Sequence, residues 1–224
     1  MPDIKYFIVL IACLSTSLPL FAQDDQPMYG GMDRSGDKEL AMQDARFIAE
    51  ATNTFGTREH ASIGYVDSGF EAHLNDKNKL AMQRFNEAWL LNPDNPYVYV
   101  GFGVLYKIQD QFCDAMQMFD LAANKDLADA GFLADYALII SQCANTANNQ
   151  SRDSLFAKAT SVYQQAEETP NPRVLAYVYQ SWAESSLLKN DIEHARLMLD
   201  EATALGATVK PELQDAIRRA TGAQ

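Results

Sequence analysis

A 34-residue period constrains this chain more than any other feature. Tyr65 and Tyr99 stand at that spacing, as do Gly69 and Gly103, Ala81 and Ala115, Phe85 and Phe119, and Ala88 and Ala122. Five matched pairs at one period are hard to obtain by chance, and a fixed period of roughly 20–50 residues marks a repeat architecture. Within each unit an aromatic residue precedes a small one by four positions, and Ala-x-x-x-Phe-x-x-Ala follows twelve residues later. The same frame returns as Ala159, Tyr163 and Ala166. It returns again as Ala195, Leu199 and Ala202, preceded by Tyr179 and Ala183 at the same distances. Two antiparallel helices need small residues where their backbones cross closely, and a bulky residue between them fills the gap against the next pair.

Almost everything after residue 37 has helical spacing, with few β-branched runs and no Asn-Gly or Asp-Gly hairpin turn. The expected fold is therefore all-α. The repeated small and aromatic positions resemble the tetratricopeptide repeat (TPR) family over roughly residues 62–207. That resemblance implies an α-solenoid of about four antiparallel helix pairs. Pro93 and Pro96, then Pro170 and Pro172, stand where the family turns between repeats, whereas the junction near Asp126 lacks proline. Unit three departs further. Its first helix is expected over 128–143, and Ala137 lies 22 residues before Ala159 rather than 12. The ten extra residues, 144–153, read as a polar loop, either a functional insertion or a passive one. Residues 39–51 form one amphipathic helix ending near Gly56, and Pro211 opens a last helix through Ala220. These serve as N- and C-terminal capping helices, and the repeat domain is taken as 38–224.

The first 22 residues read as a bacterial-style secretory signal peptide. Lys5 precedes an uncharged apolar run over 6–14, and Ala22 offers a small residue before a cut. That run is too short to span a bilayer. Export to the periplasm is the expectation. The alternative is a membrane-anchored lipoprotein, because Leu10-Ile11-Ala12-Cys13 resembles a lipidation signal at Cys13. Residues 23–37 are polar and Gly-rich and read as a flexible linker.

Lys and Arg number 18 and Asp and Glu 30, for a net charge of −12. An acidic chain is repelled by phosphate backbones and anionic lipid surfaces, so nucleic acid is not an expected partner and membrane attachment is expected only through a lipid at Cys13. Catalytic motifs are missing. The three histidines, His60, His73 and His194, are far apart, and no HExxH, Gly-x-Ser-x-Gly or phosphate-cradling loop occurs. No metal, cofactor or catalytic residue is expected, and the scattered carboxylates read as a solvated face.

Beyond the signal segment the cysteines are Cys113 and Cys143. Cys113 opens the second helix of unit two and Cys143 closes the first helix of unit three, and those ends meet in stacked antiparallel helices. An exported protein supports a structural disulfide here; the alternative is a pair of buried free thiols.

Family resemblance also places a concave groove on each unit's first helix. Its positions would be Ile63, Val66, Phe70 and His73 in unit one, and Tyr97, Val100, Val104 and Lys107 in unit two. Ala134, Leu138 and Ser141 follow in unit three, and Tyr177, Gln180 and Glu184 in unit four. Some family members grip a C-terminal carboxylate with Lys and Asn. Here Val66, Phe70, Val100 and Val104 stand instead, so chaperone-tail binding is not expected. An apolar lining suits an amphipathic helix or an extended apolar peptide, unless residues 38–60 or a second copy of the chain fill it. The expected function is a non-enzymatic protein–protein interaction scaffold of the bacterial cell envelope. The alternatives are a self-associating structural subunit, or a small-molecule binder or enzyme built on 144–153.

Overall fold

The computed structural model describes residue 28 and residues 36–220. The signal segment, Cys13 and most of the 23–37 linker lie outside the described residues, as do residues 221–224. Met28 packs against the main core.

Among the described residues there are ten helices and no strand. They are α1 (Lys38–Phe55), α2 (Arg58–Leu74), α3 (Asn78–Leu91), α4 (Pro96–Lys107), α5 (Phe112–Ala123), α6 (Ala130–Thr146), α7 (Asn149–Ala166), α8 (Pro172–Lys189), α9 (Ile192–Ala204) and α10 (Pro211–Ala220). Local chemistry sets their ends. The side chains of Asp37, Thr57, Asn95, Asp129, Asn148, Asn171 and Asp191 each accept from a backbone N–H in the first turn of the next helix. Pro96 and Pro172 occupy first helical positions, where a missing N–H costs nothing. Gly56 closes α1 with φ 86°, a conformation that a side chain disfavours.

Adjacent helices pack in pairs: α2 with α3, α4 with α5, α6 with α7, and α8 with α9. Successive pairs meet through α3 and α4, and through α5 and α6. α1 covers one end of the array on α2 and α3, and α10 packs on α9 at the other. The alanines of the repeated frame are buried at every crossing, with Ala81, Ala88, Ala115, Ala122, Ala195 and Ala202 fully enclosed. The bulky members lie between them. Phe85 of α3 is fully buried, with Gly69 of α2 and Gly101 of α4 both against its ring. Gly103 faces Phe119 in the same way one period later. Tyr163 stacks on Trp182 at 5.0 Å, and its hydroxyl meets the Ser181 carbonyl oxygen at 2.9 Å. Asp120 joins three helices, accepting from the Tyr136 hydroxyl of α6 and from Lys158 of α7 at 2.7 Å.

The turns within pairs carry a second periodic device. Asp76, Asp110 and Asn190 adopt left-handed backbone, with φ of 58°, 58° and 67°. Asp and Asn accept this region better than other side chains do. Unit three has Ala144 at the equivalent place, and α6 runs through it to Thr146. Residues 144–153 are therefore not the expected loop. All but Ala147 and Asn148 are helical, so the ten extra residues lengthen α6 and α7. The first helix of this pair also starts later than expected, at Ala130, because Asp129 caps it.

Cys113 at the start of α5 and Cys143 near the end of α6 are joined as a disulfide, with Cα atoms 4.7 Å apart. It ties the lengthened α6 to the pair before it. Thiol titration of the chain from Gln23 onward, unfolded without reductant, is expected to find no free thiol; two per chain would remove the bond. It closes a 30-residue span, so replacing both cysteines by serine is expected to cost about 3–4 kcal/mol of unfolding free energy.

A Cβ at position 101 would lie 2.4 Å from the Phe85 ring. That ring is itself wedged between Phe70 and Phe102. Gly101→Ala is expected to destabilise by about 1–3 kcal/mol in urea unfolding. Gly131→Ala, whose added atom meets only the Asp129 carboxylate, is expected to stay within about 0.5 kcal/mol of the parent.

Candidate functional site: an apolar recess between α2 and α4

Three residues of α2, Ile63, Val66 and Phe70, recur at helical spacing and share one face. The turn between α3 and α4 brings Asn92, Asp94, Asn95, Pro96 and Tyr97 opposite them. Together with Glu59 and Asp67 these residues enclose a recess of about 580 Å³. Ile63 and Tyr97 are 53% and 47% exposed, whereas Val66 is buried in the floor.

The walls are held by polar contacts buried behind them. Ser62 donates to the Ala88 carbonyl at 3.0 Å, and the Asn95 amide donates to the Ser62 hydroxyl at 3.0 Å. The Asn95 carbonyl oxygen accepts from the Tyr97 N–H and so caps α4. One asparagine thus fixes the α3–α4 turn against α2. Satisfied buried polar groups of this kind specify a single arrangement. Lys125 pairs with Asp94 at 2.7 Å and lies over the Tyr99 ring. The Glu59 carboxyl is held below its usual range, mainly by a backbone hydrogen bond in the first turn of α2 and then by Thr57.

Of the fourteen groove residues expected from the sequence, four meet in this recess: Ile63, Val66, Phe70 and Tyr97. Val100, Val104 and Lys107 continue along α4, half-buried, outside the recess. Gln180 is half-buried on α8. Leu138 is buried on α6, as are Ala134 and Ser141, and none of the three lines this recess. The cause is a direct meeting of α6 and α8. Ser181 donates to the Ala134 carbonyl at 3.0 Å, and the Ser141 and Ser185 hydroxyls meet at 2.6 Å. Small side chains let two backbones close, and the surface between them disappears.

Tyr177 is 45% exposed and its hydroxyl donates to Asp135 of α6. Burial raises the Asp135 carboxyl above its usual range, against the lowering effects of Tyr177 and Lys107. Burial, and then Asp135, raise the Tyr177 phenol far above its own. A phenol so raised keeps its proton, and its hydrogen bond to Asp135 ties α8 to α6.

Ser186 and the Nδ1 of His194 come within 2.8 Å. The serine is buried and its hydroxyl also reaches the Trp182 carbonyl, so this contact joins α8 to α9. Among the described residues no group of three or more His, Cys, Asp or Glu is placed to hold a metal ion. No helix among them is long and apolar enough to cross a membrane. α1 does not fill the recess. Phe47, Ile48 and Ala51 pack instead on Ala61, Leu91 and Tyr65, on another side of α2.

The acidic rim was not anticipated from the sequence. The Asn92-Pro-Asp-Asn-Pro96 segment signalled a turn, but which of its side chains face α2 depends on the path of the chain after Leu91. Comparisons with protein-family models, with curated proteins and with solved structures found no match for this chain.

A raised folded-state pKa means that the folded chain binds more protons than the unfolded chain between the two values. Stability attributable to Asp135 then falls as pH climbs through that window. Asp135→Asn keeps an acceptor for Tyr177 and removes the titration. The melting temperature of this variant relative to the parent is expected to be higher at pH 7 than at pH 3.5. A constant difference across calorimetric scans at the two values would overturn the assignment.

Proposed function

We propose that this chain is a non-enzymatic protein–protein interaction scaffold of TPR-like architecture, acting in a bacterial cell envelope. On this reading a partner lays a helix or an extended peptide in the recess between α2 and α4. The carrying observation is the recess itself, about 580 Å³ with an apolar floor and exposed Ile63 and Tyr97 at its mouth. Isolated exposed apolar residues need no explanation, but several converging on a preformed recess mark a binding surface.

The TPR-like reading draws support from the 34-residue recurrence of Gly69 and Gly103 over Phe85 and Phe119, and of Asp76 and Asp110 in the turns. It draws further support from the pairing of adjacent helices. The envelope location rests on the signal-like residues 1–22, with a lipid at Cys13 as the alternative form of attachment. The net charge of −12 speaks against nucleic acid as the partner.

A retention experiment from envelope extract tests this function. Ile63→Glu with Tyr97→Glu changes the mouth of the recess at exposed positions, and Leu197→Glu on α9, itself 51% exposed, is the control. A protein retained by the parent and by the control, but lost with the double variant at equal helicity, is the expected outcome. Equal retention by all three would overturn the docking role. If the parent retains nothing and its melting temperature rises with its own concentration, the self-associating alternative takes its place.

A further inference from the structure

We infer that the segment bound in the α2–α4 recess is cationic: one bulky apolar anchor flanked by lysine or arginine. This inference rests on the docking role just proposed and adds the chemistry of the partner.

The shape supplies the anchor. Ile63, Val66 and Phe70 span eight residues of α2, so the apolar wall runs for about 10 Å over seven rises of 1.5 Å. Tyr97 closes it from α4. A wall of that length with a recess of about 580 Å³ takes one or two large side chains of a segment laid along α2.

Charge supplies the flanks. Glu59, Asp67 and Asp94 all line the recess. The nearby cations offset only part of this charge. Arg58 acts on Glu59 only through space, its guanidinium donating to the carbonyls of Leu90 and Leu91 at 2.9 Å each. Lys125 pairs with Asp94, whose side chain is still 86% exposed. Asp67 has no ion-pair partner among the described residues. An apolar floor inside an acidic mouth attracts a cationic amphipathic segment and repels an acidic one.

The same charges argue against the occupants that this chain could supply. A second copy brings a net charge of −12. The chain's own 23–37 segment carries Asp24, Asp25, Asp33 and Asp37 against one Arg34. The 23–37 segment would enter the mouth with the wrong sign, and a second copy would approach it against its own net charge.

The test uses a phage-displayed library of linear random peptides, selected on the full-length protein and counter-selected on the Ile63→Glu, Tyr97→Glu variant. Recess-dependent peptides are expected to share a large apolar residue with lysine or arginine on either side. A synthetic consensus peptide, followed by fluorescence anisotropy, is expected to bind about 3–10-fold more weakly to Asp67→Asn with Asp94→Asn. Raising salt from roughly 50 to 300 mM is expected to weaken it in the same direction. Recess-dependent peptides that are neutral or acidic, or binding indifferent to both rim variant and salt, would overturn the cationic partner and leave the docking role standing. Selection of no recess-dependent peptide would overturn the docking role, and this inference with it.

Discussion

The ring of Phe85 lies between two helix backbones, with Gly69 of α2 on one side and Gly101 of α4 on the other. No side chain larger than hydrogen fits at either glycine while the ring stays in place. Phe70 and Phe102 meet the ring edge-on. This contact sets how near α2 and α4 approach. The recess between those helices is therefore a consequence of one aromatic–glycine crossing. Gly103 over Phe119 repeats the device one period on, and Ala183 with Leu199 keeps its spacing in a softer form.

The third pair lacks one local signal, and its helices change length as a result. Aspartate or asparagine turns the chain in left-handed conformation at 76, 110 and 190. Alanine at 144 gives no such stop, so α6 continues and α7 begins three residues after α6 ends. The longer α6 reaches the start of α5, where Cys113 meets Cys143. It also presents Ala134, Ala137 and Ser141 along a face that α8 meets with Ser181 and Ser185. The close meeting of α6 and α8 removes in the second half of the array the kind of open surface that remains in the first.

The candidate site was partly legible in the sequence. Ile63, Val66, Phe70 and Tyr97 came from the register of the repeat, because helical spacing fixes which residues share a face. Leu138 came from the same register and is buried. Register tells which way a residue faces along its own helix, not whether a neighbour 40 residues away closes over it. The acidic rim was invisible for a related reason. Glu59, Asp67 and Asp94 are unremarkable in composition and become one feature only where the α3–α4 turn folds back beside α2. The tie between Tyr177 and Asp135, 42 residues apart, belongs to the same class.

The amino-acid sequence by itself determined the helical class, the boundaries set by caps and prolines, the pairing of neighbours and the residues at each crossing. All of these depend on interactions within one or two turns, or on a period that the chain states repeatedly. The tertiary structure decided which parts of the inner faces stay open, that residues 144–153 lengthen two helices instead of forming a loop, and that three carboxylates gather at one mouth. Those outcomes depend on distances between helices that are far apart in the chain. Such distances are set by the summed packing of small and large side chains, which no single stretch of sequence contains.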